Sequence, residues 1–246
     1  MRKFFIFLLT LFISFQSFSQ SILYLNEYRV PIQPSKKSPA SYFMIKTASG
    51  LSELILTFTM DTVKVFEKRE DKNEEGTVIK KIQTEYTDQG ALKARTVKDL
   101  LTSTNSTETF FLNGHPKSKT TSKAGTIVEE LYFDEDGQEL SKATKIAPLP
   151  KGNMQGWYKY LANNMRMPED VKRSGLNETV YVKFEVATDG SLDNIHVLNP
   201  EEVHTSISKE AIRLLTKYPH QWTPGTLNGV ATAMDMILPL RFKYGN

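Results

Sequence analysis

ETVYVKFEVATDGSLDNIHVL, residues 178–198, changes character at every second position. Val180, Val182, Phe184 and Val186 fall on one side of an extended chain, and Tyr181, Lys183 and Glu185 on the other. Asp189-Gly190 supplies a tight turn, after which Ile195 and Val197 return to the apolar side. The stretch therefore predicts an antiparallel hairpin with one face on a core and one face, including His196, turned outward.

Helical spacing flanks the hairpin. Trp157, Tyr160, Leu161, Asn164 and Met165 recur as one stripe, and Pro168 stops it. In TSISKEAIRLLTKYP, Ile207, Ala211, Leu214, Leu215 and Tyr218 form a second stripe, with Ser206 or Ser208 as the cap and Pro219 as the stop. The chain closes on ATAMDMILPLRF. Met234, Met236, Leu238, Leu240 and Phe242 face one way; Ala233, Asp235, Ile237, Pro239 and Arg241 face the other. Helix, strand, strand, helix, strand predicts a small antiparallel sheet with helices on one face.

Upstream the rhythm is shorter. EYTDQGALK, FFLNGHPKSK and LYFDEDGQELSK each run from an aromatic strand end through polar residues to Gly90, Gly114 or Gly137, at intervals of 24 and 23 residues. Such a layout predicts repeated β-hairpins that bury one another's faces. ILYLNEYRV reads as a further strand pair, and the charge run KREDKNEEG, 68–76, as a solvated hairpin tip. KIAPLPKGNMQG, 145–156, has two prolines, two glycines and no periodicity, which marks a linker. The division is a leader 1–19, a hairpin module 20–144, a linker 145–156 and a C-terminal domain 157–246: an α+β chain of two unlike halves.

MRKFFIFLLTLFISFQSFSQ has basic residues, then an apolar block, then small residues, the order of a secretory signal peptide cleaved between Ser19 and Gln20. The block from Phe4 to Phe15 is shorter than the ~20 residues of a spanning helix. Of 31 basic residues, Arg2 and Lys3 sit in this leader, and the other 29 nearly balance 28 acidic ones. That leaves no basic surface for nucleic acid or anionic lipid. With no cysteine, disulfides, thiolate metal sites and thiol nucleophiles are excluded. His115, His196, His204 and His220 are scattered, so no metal site is expected. DEDG at 134–137 matches the start of a calcium loop but lacks the later ligands. Adjacent carboxylates such as Glu201-Glu202 diverge on a strand and form no acid–base pair. No cofactor fingerprint and no catalytic constellation is present, so the expectation is a binding protein and not an enzyme.

MRMPEDVKRSGLNETVYVKFEVATDGSL, EAIRLL, HQWTPGTLNGVA and the closing LPLRFKY together resemble the TonB C-terminal domain, in that family's order and spacing, over about Met154 to Tyr244. TFFLNGHPKSK and LYFDEDGQELSK resemble the short hairpin repeats of MORN-like and YwqK antitoxin-like families. The first resemblance implies a periplasmic domain that takes a short peptide of an outer-membrane transporter as a strand beside its own last strand. Pro239, lacking an amide hydrogen, independently places that strand at an edge. The expected docking stretch is Ala231, Thr232, Ala233, Met234, Asp235, Met236, Ile237 and Leu238, with Pro239 limiting its length. Trp222 is expected to plug the helix–sheet core, and Pro224-Gly225 and Asn228-Gly229 to turn the chain into the last strand. A family member that powers transport has an N-terminal membrane helix and a proline-rich spacer; here a cleavable leader and a hairpin module stand in their place. An uncleaved, membrane-anchored transducer and an envelope scaffold that forms a homodimer through its edge are the alternatives.

Overall fold

The computed structural model describes residues 22–140 and 144–243; the expected leader and its Ser19–Gln20 cleavage point lie outside the described residues. The first half is a nine-stranded antiparallel meander in chain order: β1 (Ile22–Leu25), β2 (Tyr42–Ser49), β3 (Ser52–Thr59), β4 (Lys64–Lys72), β5 (Val78–Tyr86), β6 (Leu92–Asp99), β7 (Thr104–Phe110), β8 (Pro116–Lys123) and β9 (Thr126–Tyr132). The predicted glycine turns share one geometry. The N–H of Thr87, Phe111 or Asp134 donates to the carbonyl four residues on, and Gly90, Gly114 or Gly137 donates back. Each of these glycines has φ between 81° and 87°, a region closed to most side chains. The glycine interval is two strands long, so all three tips lie on the same rim of the sheet. There the Gly114 and Gly137 tips touch: Asn113 Nδ2 donates to the Glu135 carbonyl at 2.8 Å.

ILYLNEYRV is one strand and a turn: β1 pairs with β2, and Asn26–Val30 close the same five-residue turn with Arg29 at φ 56°. The array has a small core of Leu25, Met44 and Ile55. Across β7 to β9 only Tyr132 is buried, and the strands are held by their ladders and by hydroxyl pairs such as Thr109–Ser118 at 2.7 Å.

The second half contains β10 (Lys145–Ile146), α1 (Asn153–Asn164), α2 (Glu169–Ser174), β11 (Glu178–Val186), β12 (Leu192–Val197), α3 (Thr205–Thr216), β13 (Gly225–Leu227), β14 (Val230–Thr232) and β15 (Met234–Phe242). β12, β11 and β15 form one antiparallel sheet in that order; β10, β13 and β14 form a second. The segment expected as a linker belongs to this half, because β10 pairs with β13, Leu149 bridges Thr223, and α1 starts at Asn153. The cap of α3 is His204, whose ring accepts from the Ser206 amide, and not Ser206 or Ser208.

The predicted inward residues make the main core. Val180, Val182, Phe184, Val186, Leu238, Leu240 and Phe242 pack with Trp157, Ile207, Ala211, Leu215 and Trp222. Each large side chain removed from water here contributes about 1.5–3 kcal/mol. Trp222 plugs the core as expected, with ring centroids 5.2 Å from Phe184 and 6.2 Å from Trp157.

The two halves share that core. Val30, from the turn after β1, is buried within it. Arg29 beside it lies over the rings of Tyr42 and Phe66. The charge run is only partly a tip: the turn is Asn73–Thr77, while Lys68 is buried in β4. Glu201 and Glu202, on a turn and not a strand, converge on its Nζ at 3.2 and 2.6 Å.

Candidate peptide-docking edge

β15 pairs with β11 in unbroken register, from Val186↔Met234 to Glu178↔Phe242. Which way its main-chain groups point follows from Tyr181, opposite Pro239. Tyr181 N donates to Asn199 Oδ1 at 3.0 Å, and Tyr181 O accepts from Leu198 N at 2.9 Å. Both groups face the β12 side, so Tyr181 and Pro239 are a non-hydrogen-bonded pair. Pro239 therefore stands where its missing N–H would have pointed away from the sheet. By the same alternation Met236, Leu238 and Leu240 bond β11, and the N–H and C=O of Asp235, Ile237 and Arg241 point outward. Among the described residues these outward groups meet no hydrogen-bond partner.

On the opposite rim the array reaches the end of β12, where Val197 N donates to the Tyr28 carbonyl at 3.0 Å. The β15 edge presents a run of free main-chain groups, the arrangement that invites another strand.

The face of β11–β15 turned from the helices is only partly solvated. Lys183, expected outward, is buried: its Nζ meets Glu85 Oε2 of β5 at 2.6 Å and Asp235 Oδ2 at 3.0 Å. Burial alone would lower its pKa, but the two carboxylates outweigh it and hold the ammonium above its ordinary value. Lys93 of β6 approaches Asp235 at 3.8 Å. His196, also expected outward, is buried; its Nδ1–H donates to the Asn194 carbonyl at 2.6 Å, and Nε2 has no partner. Desolvation, followed by the nearby Arg29 charge, pushes its pKa well down, so the ring is neutral. Farther along the strand, Ile237 is 52% exposed, and Pro239 and Arg241 are open to solvent.

The continuous edge strand expected from Ala231 onward is divided. Ala231 and Thr232 belong to β14 and pair with Thr226 and Gly225 of β13, Ala233 lies between strands, and Met234 to Leu238 lie in β15. Asn228-Gly229 forms the tight turn joining β13 to β14, with φ 51° and 80°. Pro224-Gly225 is not a turn: it leads from the Thr223 bridge straight into β13. Gly225 is buried there, and a Cβ would come 2.5 Å from Met234 Sδ, so β13 packs closely against the start of β15. The break at Ala233 has no strong local signal, since ATAMDM alternates as smoothly as a single strand.

Among the described residues no three His, Asp or Glu side chains converge as metal ligands, and the four histidines stay apart. The role of Asn199, whose side chain holds both Tyr181 N and Thr179 O and so fixes which way β15 faces, was not legible from its position after the hairpin.

Compared with known families, residues 163–244, the C-terminal third of the chain, match the Gram-negative bacterial TonB protein C-terminal. This agrees with the resemblance read from the W-x-P-G and L-P-L elements. No curated protein matches the chain.

Proposed function

We propose that this protein works in the Gram-negative envelope by gripping an extended peptide segment of an outer-membrane transporter, added as a strand beside β15. The observation that supports this reading is the outward row formed by Asp235, Ile237 and Arg241 along the outer edge of the β12–β11–β15 sheet. Main-chain bonds give such a complex its affinity, and the side chains alternating along the edge give its selectivity. The docking stretch is then centred on 234–241, three residues later than the sequence pattern implied. Ala231 and Thr232 flank it from β14.

On this reading the protein is a binding module without cofactor or catalytic role, exported by its leader and released into the periplasm after Ser19. No helix among the described residues is long and apolar enough to cross a membrane. A protein released by cleavage after Ser19 binds a transporter without drawing on the proton gradient; a Met1 N-terminus on the mature protein would instead support the anchored transducer.

The test is titration of the isotope-labelled protein with a transporter-derived peptide. The main-chain amides of Asp235, Ile237 and Arg241 are expected to shift first. Silence there, or shifts that appear without peptide as concentration rises, would replace the reading with the scaffold that dimerises through its edge.

A further inference from the structure

One end of the hairpin array is apolar on both of its faces. The C-terminal half packs on the face that carries Lys68 and Glu85. On the opposite face the register lines up Tyr24, Phe43 and Phe58 as one row across β1, β2 and β3. Ile22, Ile45 and Leu56 form the next row, and Leu54 lies beyond it beside Thr47. The Phe43 and Phe58 rings stack with centroids 5.2 Å apart. The side chains of the same strands on the other face, Leu25, Met44 and Ile55, are apolar too, and buried. An antiparallel strand with one wet face alternates apolar and polar residues; a strand apolar on both sides belongs between two covers. Here the second cover is missing, since Ile22 is 53% and Tyr24 37% exposed. On β7 and β8 the same face carries Ser106, Glu108, Lys119 and Thr121, so the apolar block is confined to the β1 end of the sheet.

We infer that this block is a self-docking surface, on which two copies of the chain stack β1–β3 against β1–β3 about a two-fold axis as a β-sandwich. The inference is independent of what β15 binds. A two-fold axis makes a patch its own partner, and sheets stacked face to face interdigitate their side chains at a separation of about 10 Å. The charges beside the block favour a copy over a foreign protein. Along β4, on the same face, Lys64 meets Glu67 at 2.6 Å and Arg69 meets Asp71 at 3.0 Å, so the rim is matched within each chain. A second copy therefore meets no uncompensated charge, and the rim offers a foreign partner no charge to recognise. With the β4 row included, the block is about 19 Å wide and about 27 Å long, on the order of 500 Å² on each copy. A stacked pair then buries about 1,000 Å², the threshold of a specific interface. Because the C-terminal half lies on the other face, the pair keeps both β15 edges free.

The experiment is sedimentation of the mature protein between about 1 and about 100 µM, where a contact of this size is expected to carry it from monomer to dimer. Ile22→Lys combined with Tyr24→Lys puts two ammonium groups from each copy into the stack and is expected to weaken the dimer at least about hundredfold. Both side chains are exposed in the single chain, so the array keeps its fold without them. The chain has no cysteine, and Thr47→Cys therefore takes one nitroxide label on the same face. In the dimer the two labels are expected to lie within about 30 Å of each other. A mature protein that stays monomeric overturns the inference and leaves the block to a different molecule. A dimer indifferent to the two lysines, or one whose labels lie farther apart, overturns it as well. So does a dimer that Ile237→Pro dissolves, because that contact would run through β15.

Discussion

Lys183 of the C-terminal sheet and Glu85 of the hairpin array form an ion pair of 2.6 Å that is nearly closed to solvent. Removing Lys183 strands Glu85 in a dry interface, whereas removing Glu85 leaves the ammonium with Asp235. Lys183→Met is therefore expected to cost about 3 kcal/mol, and adding Glu85→Leu to recover most of it, because a buried pair is far easier to replace than to break. The ammonium's pKa is raised, so its contribution is complete at neutral pH and fades only as pH climbs through that raised value. Urea unfolding of the two single variants and the double variant measures the coupling; purely additive losses would mean that the halves are not joined here.

Trp222 tests the core. It is buried among Phe184, Trp157 and Tyr218, and its Nε1 has no hydrogen-bond partner. Trp222→Ala leaves a large cavity and is expected to cost about 3–5 kcal/mol. Trp222→Phe loses volume but no bonded donor, so its cost is expected to stay below about 2 kcal/mol. Thermal unfolding orders the two; equal losses would show that the ring's polar edge matters more than its bulk.

The fold's outline was legible where each residue answers to its nearest neighbours along the chain. Alternation set Val180 to Val186 and Met234 to Phe242 inward, glycine marked the hairpin tips, and Pro239 marked the edge. What the sequence hides is which surface covers which. Lys183 and His196 sit on a polar face, and polarity alone predicts water, yet the array supplies Glu85 and the Tyr28–Val30 turn to cover them. Glu201 and Glu202 looked divergent because a strand was assumed beneath them; a turn lets both reach Lys68. The split at Ala233 was invisible for a related reason. It is decided by the partner strands, β13 for one side and β11 for the other, and not by the residues themselves.

His196 gives the interface a pH response. The groups acting on it are Arg29, Lys183, Lys93 and the Asn194 carbonyl, and burial above all holds its pKa well below the ordinary value of 6.5. A depressed pKa means that the unfolded chain takes up the proton first. Stability is therefore full above about pH 6.5 and is lost as pH falls, at about 1.4 kcal/mol per pH unit. His196→Asn keeps an N–H near Nδ1 and removes the titration, so its stability is expected to stay flat from about pH 7 to about pH 5.5 while the parent declines. Parallel slopes would show that the proton is taken up elsewhere.

The docking edge is tested by proline at two neighbouring positions. The Ile237 N–H points outward, as Pro239's would, so Ile237→Pro removes a donor that the folded chain does not use. The Met236 N–H bonds β11, so Met236→Pro cuts the sheet's own ladder and is expected to cost about 3 kcal/mol or more. Ile237→Pro is expected to keep the parent's unfolding free energy to within about 1 kcal/mol while its binding of a transporter-derived peptide falls at least about tenfold, the loss of a central main-chain bond. Calorimetric titration beside chemical denaturation separates the two effects. Undiminished binding by a folded Ile237→Pro protein would mean that the visitor docks elsewhere. Equal destabilisation by both prolines would mean that the alternation deduced from Tyr181 is misassigned.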